Sequence, residues 1–338
     1  MERRKISTLG KYSLVVTLPK DWTRMNNLDS GDEVSLKVQG DGSLAIHPSL
    51  SFEGRQNEFT LQVGFQEDVK MIQRKIIACY LNGYDKIVII SDKNFTRSQQ
   101  DGIRSIVKSL YMRIYESSAD TVTLQAFMDE SLASVTSGVE RMHIITSSMA
   151  KDLIKSLKEW DLGLARSVIS LEEDVDQFLF FLTRLLRTAV NNPSMASKMQ
   201  ISIGDCIDYH LLINRIEYIA DHITTVAESF VELYQYKDQV YEPGMEVIID
   251  ALSKSFEYYD KAVEGFFEGA LEDTGNIIDY ASESKLIDEG LRDLPHLNDA
   301  ESRIVILCHS IMDEVGYIRN ICADISEITI DRHYKQSQ

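Results

Sequence analysis

The chain has 338 residues, of which 44% are hydrophobic and 26% charged, and its formal net charge at pH 7 is −18. This length predicts two or three domains, and this composition is that of a folded globular protein, not of a disordered or collagen-like one. The sequence contains no run of about 18 uncharged apolar residues, so it predicts no transmembrane helix. The four cysteines form no CxxC pair and the chain begins without an apolar signal core, so we expect a cytoplasmic protein with reduced thiols.

Positive charge is concentrated at the amino terminus. Residues 1–24 carry six Lys or Arg against two acidic residues, whereas the rest of the chain is strongly acidic. An acidic surface repels the phosphate backbone of nucleic acid. We therefore expect that any contact with DNA is made by this segment, with the alternative that the segment is only a solvated chain end.

The pattern of residues 1–48 predicts a small β unit. An apolar, β-branched strand at Ser13–Leu18 ends at a proline, and a short helix is predicted over Lys20–Asn27. Two further strands are predicted at Glu33–Val38 and Ser43–His47, because a Gly-Asp-Gly sequence between them is typical of a hairpin. A unit of this size buries too little apolar surface to be stable alone, so we expect it to pair with a second copy or to pack on the rest of the chain.

The next segment, residues 49–128, alternates strand and helix patterns. The order β-α-β-α-β-β predicts a small two-layer α/β domain that connects the two ends of the chain. Neither GxGxxG nor GxxxxGK[ST] occurs, so nothing in this segment indicates nucleotide binding. The predicted strands are Glu58–Val63, Lys86–Ile90, Met112–Tyr115 and Thr121–Leu124, and the predicted helices are Glu67–Leu81 and Arg97–Leu110.

The rest of the chain is predicted to be helical, since apolar residues recur there every three or four positions. We expect Pro193, Pro243 and Pro295 to mark helix ends. Three helices on each side suggest a duplicated three-helix bundle, divided into residues 129–236 and 237–338. The six predicted helices span residues 129–158, 162–191, 198–236, 243–270, 274–291 and 298–331.

Two of these helices carry carboxylates four residues apart, Glu172 with Asp176 and Glu217 with Asp221. This spacing places each pair on one helix face, where like charges repel unless a cation bridges them. Acids on a solvated helix face explain the same spacing, so the alternative of a merely solvated pair stays open. No HExxH, HxH or GxSxG motif occurs, and we expect that the protein is not an enzyme.

The amino-terminal segment KISTLGKYSLVVTLPKDWTRMNNLDSGDEVSLKV resembles the AbrB/SpoVT family of DNA-binding domains. The matching features are the early strand with Gly10, the VVTLPKDW step into a short helix, and the Leu-x-x-Gly-Asp-Glu-Val return that begins at Leu28. The resemblance implies an intertwined homodimer of swapped hairpins. It also implies that DNA is contacted by Arg3, Arg4, Lys11, Lys20 and Arg24.

The helical region resembles PhoU, the phosphate-uptake regulator family, through RSVISLEEDVDQF, the following NNP loop and INRIEYIADHITTVAE. In that family paired ExxxD motifs bind metal ions on the bundle surface. The resemblance therefore implies a site for Mg, Mn, Fe or Zn ions whose ligands are Glu172, Asp176, Glu217 and Asp221.

The second half of the helical region departs from this pattern. Its last helix offers Asp313 with Tyr317, and the helix before it offers Ser284 with Asp288, so each pair has only one carboxylate. We therefore expect one metal cluster per chain.

These observations predict a multidomain, mainly α protein with a small swapped-hairpin β domain (1–48), a small α/β domain (49–128) and two tandem three-helix bundles (129–236 and 237–338). The combination resembles the PhoU-related proteins of archaea and implies a homodimeric regulator of phosphate uptake that binds promoter DNA. One alternative is an adaptor that does not bind DNA and docks on the phosphate transporter's ATPase or on a sensor protein. A metal-dependent hydrolase is a third possibility, but no general base stands beside the four carboxylates.

Overall fold

The structure, a computed structural model, describes residues 3–38, 42–48, 57–127, 134–282 and 302–335. By its contacts the chain divides into two compact units. The first unit is Met1–Gln56 with Gln336–Gln338, and the second is Asn57–Lys335. Most of the second unit is helical, as the sequence predicts for the whole chain.

The first unit contains two small hairpins and one short helix. Strands β1 (Ser7–Leu9) and β2 (Ser13–Val15) pair antiparallel around a turn at Gly10, whose φ of +67° favours glycine. Helix α1 (Lys20–Met25) follows, and β3 (Val34–Val38) pairs antiparallel with β4 (Leu44–Pro48). The predicted strand over residues 13–18 is therefore shorter in the structure, and the predicted helix ends two residues early.

No residue of this unit whose burial the structure describes is buried. Large apolar side chains stand exposed on its strands, its helix and the adjoining turns and ends, and they form no core in a single copy of the unit. They include Ile6, Leu9, Tyr12, Leu14, Val16, Met25, Leu36 and Val38.

The second unit begins with the expected α/β layer. Its elements are β5 (Glu58–Val63), α2 (Val69–Leu81), β6 (Lys86–Ser91), α3 (Arg97–Ser109), β7 (Met112–Ser117) and β8 (Thr121–Ala126). The sheet order is β5-β6-β8-β7, with β5 and β6 parallel and the other pairs antiparallel. Its core includes Ile72, Ile76, Ile87, Ile89 and Leu124, which link the sheet to α2.

Seven α-helices follow the α/β layer in the described part of the chain, with one 3-10 helix (Tyr234–Gln239) after the fourth of them. They are α4 (Val135–Glu159), α5 (Leu162–Asn191), α6 (Pro193–Lys198), α7 (Ile203–Leu233), α8 (Glu242–Glu268), α9 (residues 274–282) and α10 (Ser302–His333). Helix α7 packs on α5, α4 and α10, and α10 also packs on α8. One continuous apolar core runs through these helices.

As predicted, a helix ends shortly before Pro193 and before Pro243, and each of these prolines also lies at the start of the next helix. Pro193 is the first residue of α6, and Pro243 lies in the first turn of α8. A first-turn residue has no intrahelical acceptor for its amide, so proline is tolerated there. The predicted Pro295 boundary lies outside the described residues, as do residues 129–133 and 283–301 of the predicted helices.

The third predicted helix also starts later, at Ile203 instead of residue 198. Gln200 adopts a positive φ of 56°, which interrupts the helix after α6. The hydroxyl of Ser202 then accepts the Asp205 amide, and the Asp205 carboxylate accepts the Ser202 amide. This reciprocal capping box fixes the first turn of α7.

Candidate functional site

The four predicted carboxylates lie on two helices that pack against each other. Glu172 and Asp176 project from α5, and Glu217 and Asp221 project from α7. All four side chains are half-buried, and Glu217, when protonated, donates a hydrogen bond to the Asp221 carboxylate. The structure therefore brings the two sequence pairs together at one helix–helix groove.

Burial raises the pKa of each of these carboxyl groups, and repulsion from neighbouring carboxylates adds to this for Glu172, Asp176 and Glu217, whereas His222 and Glu217 oppose the shift at Asp221. Burial is the largest cause throughout, and it combines with the charge of Asp221 to raise the pKa of Asp176 to about 6. Burial together with Asp221, Asp176 and Glu172 raises the pKa of Glu217 to about 8. The pKa values of Glu172 and Asp221 are also raised, chiefly by burial. The groove therefore disfavours the charged form of these carboxyl groups, and Glu217 is largely protonated at neutral pH.

Two further carboxylates belong to the same electrostatic cluster, although the ExxxD pattern does not contain them. Glu173 contributes to the raised pKa values of Glu172 and Asp176, and Glu228 contributes to that of Glu172. Glu228 follows Asp221 by seven residues on α7 and so returns to the same helix face. Extending the search from spacing four to spacing seven would have found it.

The chemistry of this donor set fits a cation, since oxygen ligands suit Mg²⁺, Mn²⁺ and related ions. None of the four predicted carboxylates forms an ion pair with Lys or Arg in the part of the chain that the structure describes. Within the same part, no three His, Cys, Asp or Glu side chains converge closely enough to hold a metal ion. The arrangement is thus a concentrated negative charge and not a formed coordination sphere.

Helix α10 makes a polar contact with α7 at the residue that follows Asp221 in the sequence. His222 follows Asp221 on α7, and its Nδ1 pairs with the carboxylate of Glu314. The His222 ring also stacks on Tyr317, with 5.2 Å between centroids and an interplanar angle of 17°. Tyr317 occupies the position where the second repeat would need its carboxylate, so the structure fills that position with an aromatic contact. The proposed partners Ser284 and Asp288 lie outside the described residues.

The predicted DNA-contacting residues all lie exposed in the first unit. Arg3 and Arg4 precede β1, and Lys11 lies in the turn between β1 and β2. Lys20 and Arg24 stand one turn apart on α1, where residues at spacing four share a face. This placement leaves the five cations accessible to a polyanion.

Known proteins resemble both the helical region and the amino-terminal unit of this chain. Residues 139–230 match the PhoU domain, and residues 10–51 match MazE, the bacterial antitoxin family described as antidote-toxin recognition. The crystal structure of PhoU from Pseudomonas aeruginosa superposes with a TM-score of 0.51 and 17% identity, over 58% of this chain and 93% of that one. No curated protein matches the chain in sequence.

A likeness at this identity establishes the fold of the helical region. Among the described helices, none has an apolar stretch long enough to cross a membrane. From the two domain matches and the structural likeness, the chain carries a PhoU domain in a PhoU-like helical fold, joined to an amino-terminal domain of the MazE/AbrB type.

Proposed function

We propose that this protein is a cytoplasmic regulator of phosphate uptake, and not an enzyme, in which the helical region receives a signal and the amino-terminal unit binds promoter DNA. The observation that carries the proposal is the union of a PhoU domain and a MazE/AbrB-type domain in one chain. The first domain suggests the physiological process, and the second suggests the output.

The first unit supports a homodimer. Its described residues form no buried core, while large apolar side chains such as Tyr12 and Leu14 are 94% and 72% exposed. Exposed apolar surface of this extent in so small a unit is typical of an interface. Pairing two hairpin units would bury these side chains and create the core that one copy lacks.

The charge distribution supports DNA binding through the same unit. Residues 1–24 are basic in a chain of net charge −18, and the five exposed cations described above lie near strand turns and on α1. Such cations position a protein on the phosphate backbone without reading sequence. The acidic remainder keeps other surfaces away from DNA.

The carboxylate groove supports a metal-binding role for the helical region. Glu172, Asp176, Glu217 and Asp221 are the residues that would hold a divalent or trivalent cation, once their side chains close around it. A bound cation would neutralise the repulsion that raises the pKa values of these groups. Mg, Mn, Fe and Zn ions all suit this donor set in general terms.

A regulatory mechanism follows if the helical region binds its signal more tightly in one arrangement of the dimer than in another. That difference in affinity would favour one spacing of the two amino-terminal units and so change the affinity for DNA.

The competing proposal is an adaptor that docks on the phosphate transporter's ATPase or on a sensor protein. The exposed apolar surface of the first unit is explained equally well by the adaptor and by the DNA-binding regulator, because dimerisation alone would account for that surface. Under this alternative the unit contributes assembly and no contact with nucleic acid.

The test is binding of the purified chain to phosphate-transporter promoters and to unrelated DNA across a range of salt concentrations. We expect tight, site-preferring binding that is lost in a chain without residues 1–48. Equal, weak binding to all sequences would favour the adaptor. In cells of the source organism, deletion of the gene should uncouple the amount of phosphate-transporter transcript from the external phosphate supply, and an unchanged response would contradict the regulatory role.

A further inference from the structure

Strand β5 lies at one side of the α/β sheet, and its outer edge is open. On its inner side it pairs with β6 over its whole length. Across the part of the chain that the structure describes, no backbone hydrogen bond reaches its outer edge. Most of its side chains are exposed as well. An edge strand of this kind presents a row of unpaired N–H and C=O groups, to which another strand can pair.

The opposite edge of the sheet is protected against such pairing, whereas β5 is not. Strand β7 has a bulge between Ile114 and Glu116, and it exposes the charged side chains of Arg113 and Glu116. Bulges and charges are features by which proteins prevent edge strands from pairing. Strand β5 has a regular register and no proline. Its one charged residue, Glu58, is at its first position and bonds Lys86 at 2.9 Å.

We propose that β5 pairs antiparallel with β5 of a second copy of the chain about a two-fold axis, which joins the two four-stranded sheets into one. The inference rests on the proposed homodimer. Two paired strands of six residues bury far less than the roughly 1,200 Å² of a stable interface, so this contact does not hold two chains together alone. It forms because the amino-terminal units raise the effective concentration of one β5 near the other.

The charge of the chain favours a second β5 as the occupant of this edge. The net charge is −18, so most surfaces of two copies repel each other. Two antiparallel registers pair five residues of each strand, one centred on Thr60 and one on Leu61. In the first register Glu58 faces the partner's Gln62, and in the second it lies beyond the paired residues. Neither register places like charges opposite each other, which would weaken the pairing.

The direction of the side chains also fits pairing between two copies of β5. A two-fold axis perpendicular to the sheet keeps the helix-covered face of both strands on the same side. Leu61 and Val63 point to that face and belong to its core, and Phe59 shares the face by alternation. Phe59 is 37% exposed in one chain. Either register would place it opposite the partner's Leu61 or the partner's Val63 and cover it.

The competing interpretations are that this edge stays solvated or that it accepts an extended segment of a different protein. Disulfide trapping in the full-length protein distinguishes these cases. Directly opposite residues of an antiparallel pair have Cα atoms about 4.5–5.5 Å apart, which suits a disulfide. A residue at the two-fold axis faces its own copy, so one introduced cysteine is enough. The four native cysteines are buried and provide a low background.

We expect Thr60→Cys or Leu61→Cys, whichever lies at the axis, to form a disulfide-linked dimer under mild oxidation about tenfold faster than a control. The matched control is Ser117→Cys, an exposed position on the protected edge strand β7. Gel electrophoresis without reductant measures the rate. If neither β5 variant is crosslinked faster than the control, the inference is overturned.

Hydrogen exchange gives a second measurement on the unmodified strand. The outward amides of β5 should exchange about tenfold more slowly in the wild-type dimer than in a monomer made by Leu14→Asp with Leu36→Asp in the first unit. Equal exchange in the two proteins would contradict the pairing. Slow exchange in both, without any crosslink, would mean that something other than a second β5 covers the edge, and it would also overturn the inference.

Two different failures can be told apart by sedimentation velocity of the wild-type protein. If it is a dimer but neither β5 cysteine is crosslinked faster than the control, this inference is wrong and the proposed homodimer stands. If it is a monomer, both the inference and the proposed homodimer are wrong.

Discussion

A guanidinium nitrogen of Arg184 lies 2.6 Å from a carboxylate oxygen of Asp85, and this ion pair joins the helical part of the second unit to its α/β layer. Arg184 projects from α5 and is only 3% exposed. Its other terminal nitrogen donates to the carbonyl oxygens of Tyr80 and Tyr84, at 2.6 and 3.0 Å. One side chain therefore provides hydrogen-bond donors for backbone carbonyl groups at the carboxyl end of α2 and in the turn that follows it.

Because Arg184 is buried, we expect Asp85→Asn to destabilise the protein. The substitution leaves the buried guanidinium without its counter-charge, and because the Asp85 side chain is 34% exposed, solvent screening reduces the loss from the value for a fully buried pair to about 2 kcal/mol. Urea unfolding followed by circular dichroism measures the change. The matched control is Asp101→Asn, whose partner Arg97 is 3.8 Å away on an exposed surface, where an ion pair contributes about 0.5 kcal/mol or less. Equal midpoints for the two variants would refute the structural role of the pair.

Arg184 also shows where sequence reasoning reaches its limit. In the sequence LTRLLRTAV, Arg184 and Arg187 look alike, yet the first is buried and the second exposed. The difference depends on α2, about a hundred residues earlier in the chain. A periodic pattern on one helix cannot identify which part of a distant segment will cover it.

Local signals predicted more of the fold. The six elements of the α/β layer agree with their predictions to within two residues, because caps such as Asp68 and Thr96 lie next to the apolar runs that define them. The helix end before Pro193 was predicted, but the short helix α6 that begins at this proline was not, since proline suits the first turn of a helix as well as the position after its end. At the groove, spacing along one helix predicted the carboxylate pairs, whereas Glu314 pairs with His222 across 92 residues and gave no sequence signal.

Repulsion within the groove predicts opposite effects of one substitution with and without metal. Glu217→Gln removes a half-buried carboxyl group whose charged form is disfavoured beside Asp221 and Asp176 and which is about half charged at pH 8, so the metal-free protein should gain about 0.5–1 kcal/mol in its free energy of unfolding at that pH. The same change removes a proposed ligand, so saturating Mn²⁺ should stabilise the variant less than the wild-type protein. Urea unfolding with chelator and with Mn²⁺ measures both effects.

The control for this variant is Glu140→Gln, an exposed acid on α4. It should change neither free energy by more than about 0.5 kcal/mol. A Glu217→Gln protein that is destabilised without metal would show that the carboxylate is held by favourable contacts, contrary to the repulsion inferred from its surroundings.

The exposed apolar side chains of the first unit predict a dimer interface, which acidic substitutions in it should disrupt. Leu14 and Leu36 are 72% and 62% exposed in one chain, and we expect a second copy to cover them. Leu14→Asp together with Leu36→Asp would place unpaired charges in that interface and shift the full-length protein from dimer to monomer. Sedimentation velocity measures the mass. Ile144→Asp, at a 64% exposed position on α4, is the control and should remain dimeric.

If the amino-terminal cations contact phosphates, their removal must change the salt dependence of DNA binding. Each contact releases counterions, which contributes about 0.9 to the slope of log affinity against log salt. Replacing Arg3, Arg4 and Lys11 with Ala should therefore lower the slope by about three per chain and weaken binding to all sequences. Fluorescence anisotropy across salt provides the slope. The matched control replaces three exposed cations of the α/β layer, Lys70, Arg74 and Arg104, and should leave the slope unchanged.

The contact between α4 and α8 predicts a loss of stability in acid. His143 bonds the Tyr259 hydroxyl at 3.1 Å, and burial, with a smaller contribution from Lys151, lowers the pKa of its imidazole while Asp260 opposes the shift. In the unfolded chain the His143 imidazole is protonated near its ordinary pKa of 6.5, whereas in the folded protein protonation is disfavoured. The stability contributed by the neutral imidazole is therefore complete above pH 6.5 and falls as the pH drops below that value. His143→Gln removes the titrating group, and the loss of unfolding free energy between pH 7.5 and 5.5 should shrink by about 0.5–1 kcal/mol relative to the wild-type protein. His309→Gln on α10 serves as the control, and an identical pH dependence for the wild-type and His143→Gln proteins would show that this imidazole does not set the acid sensitivity.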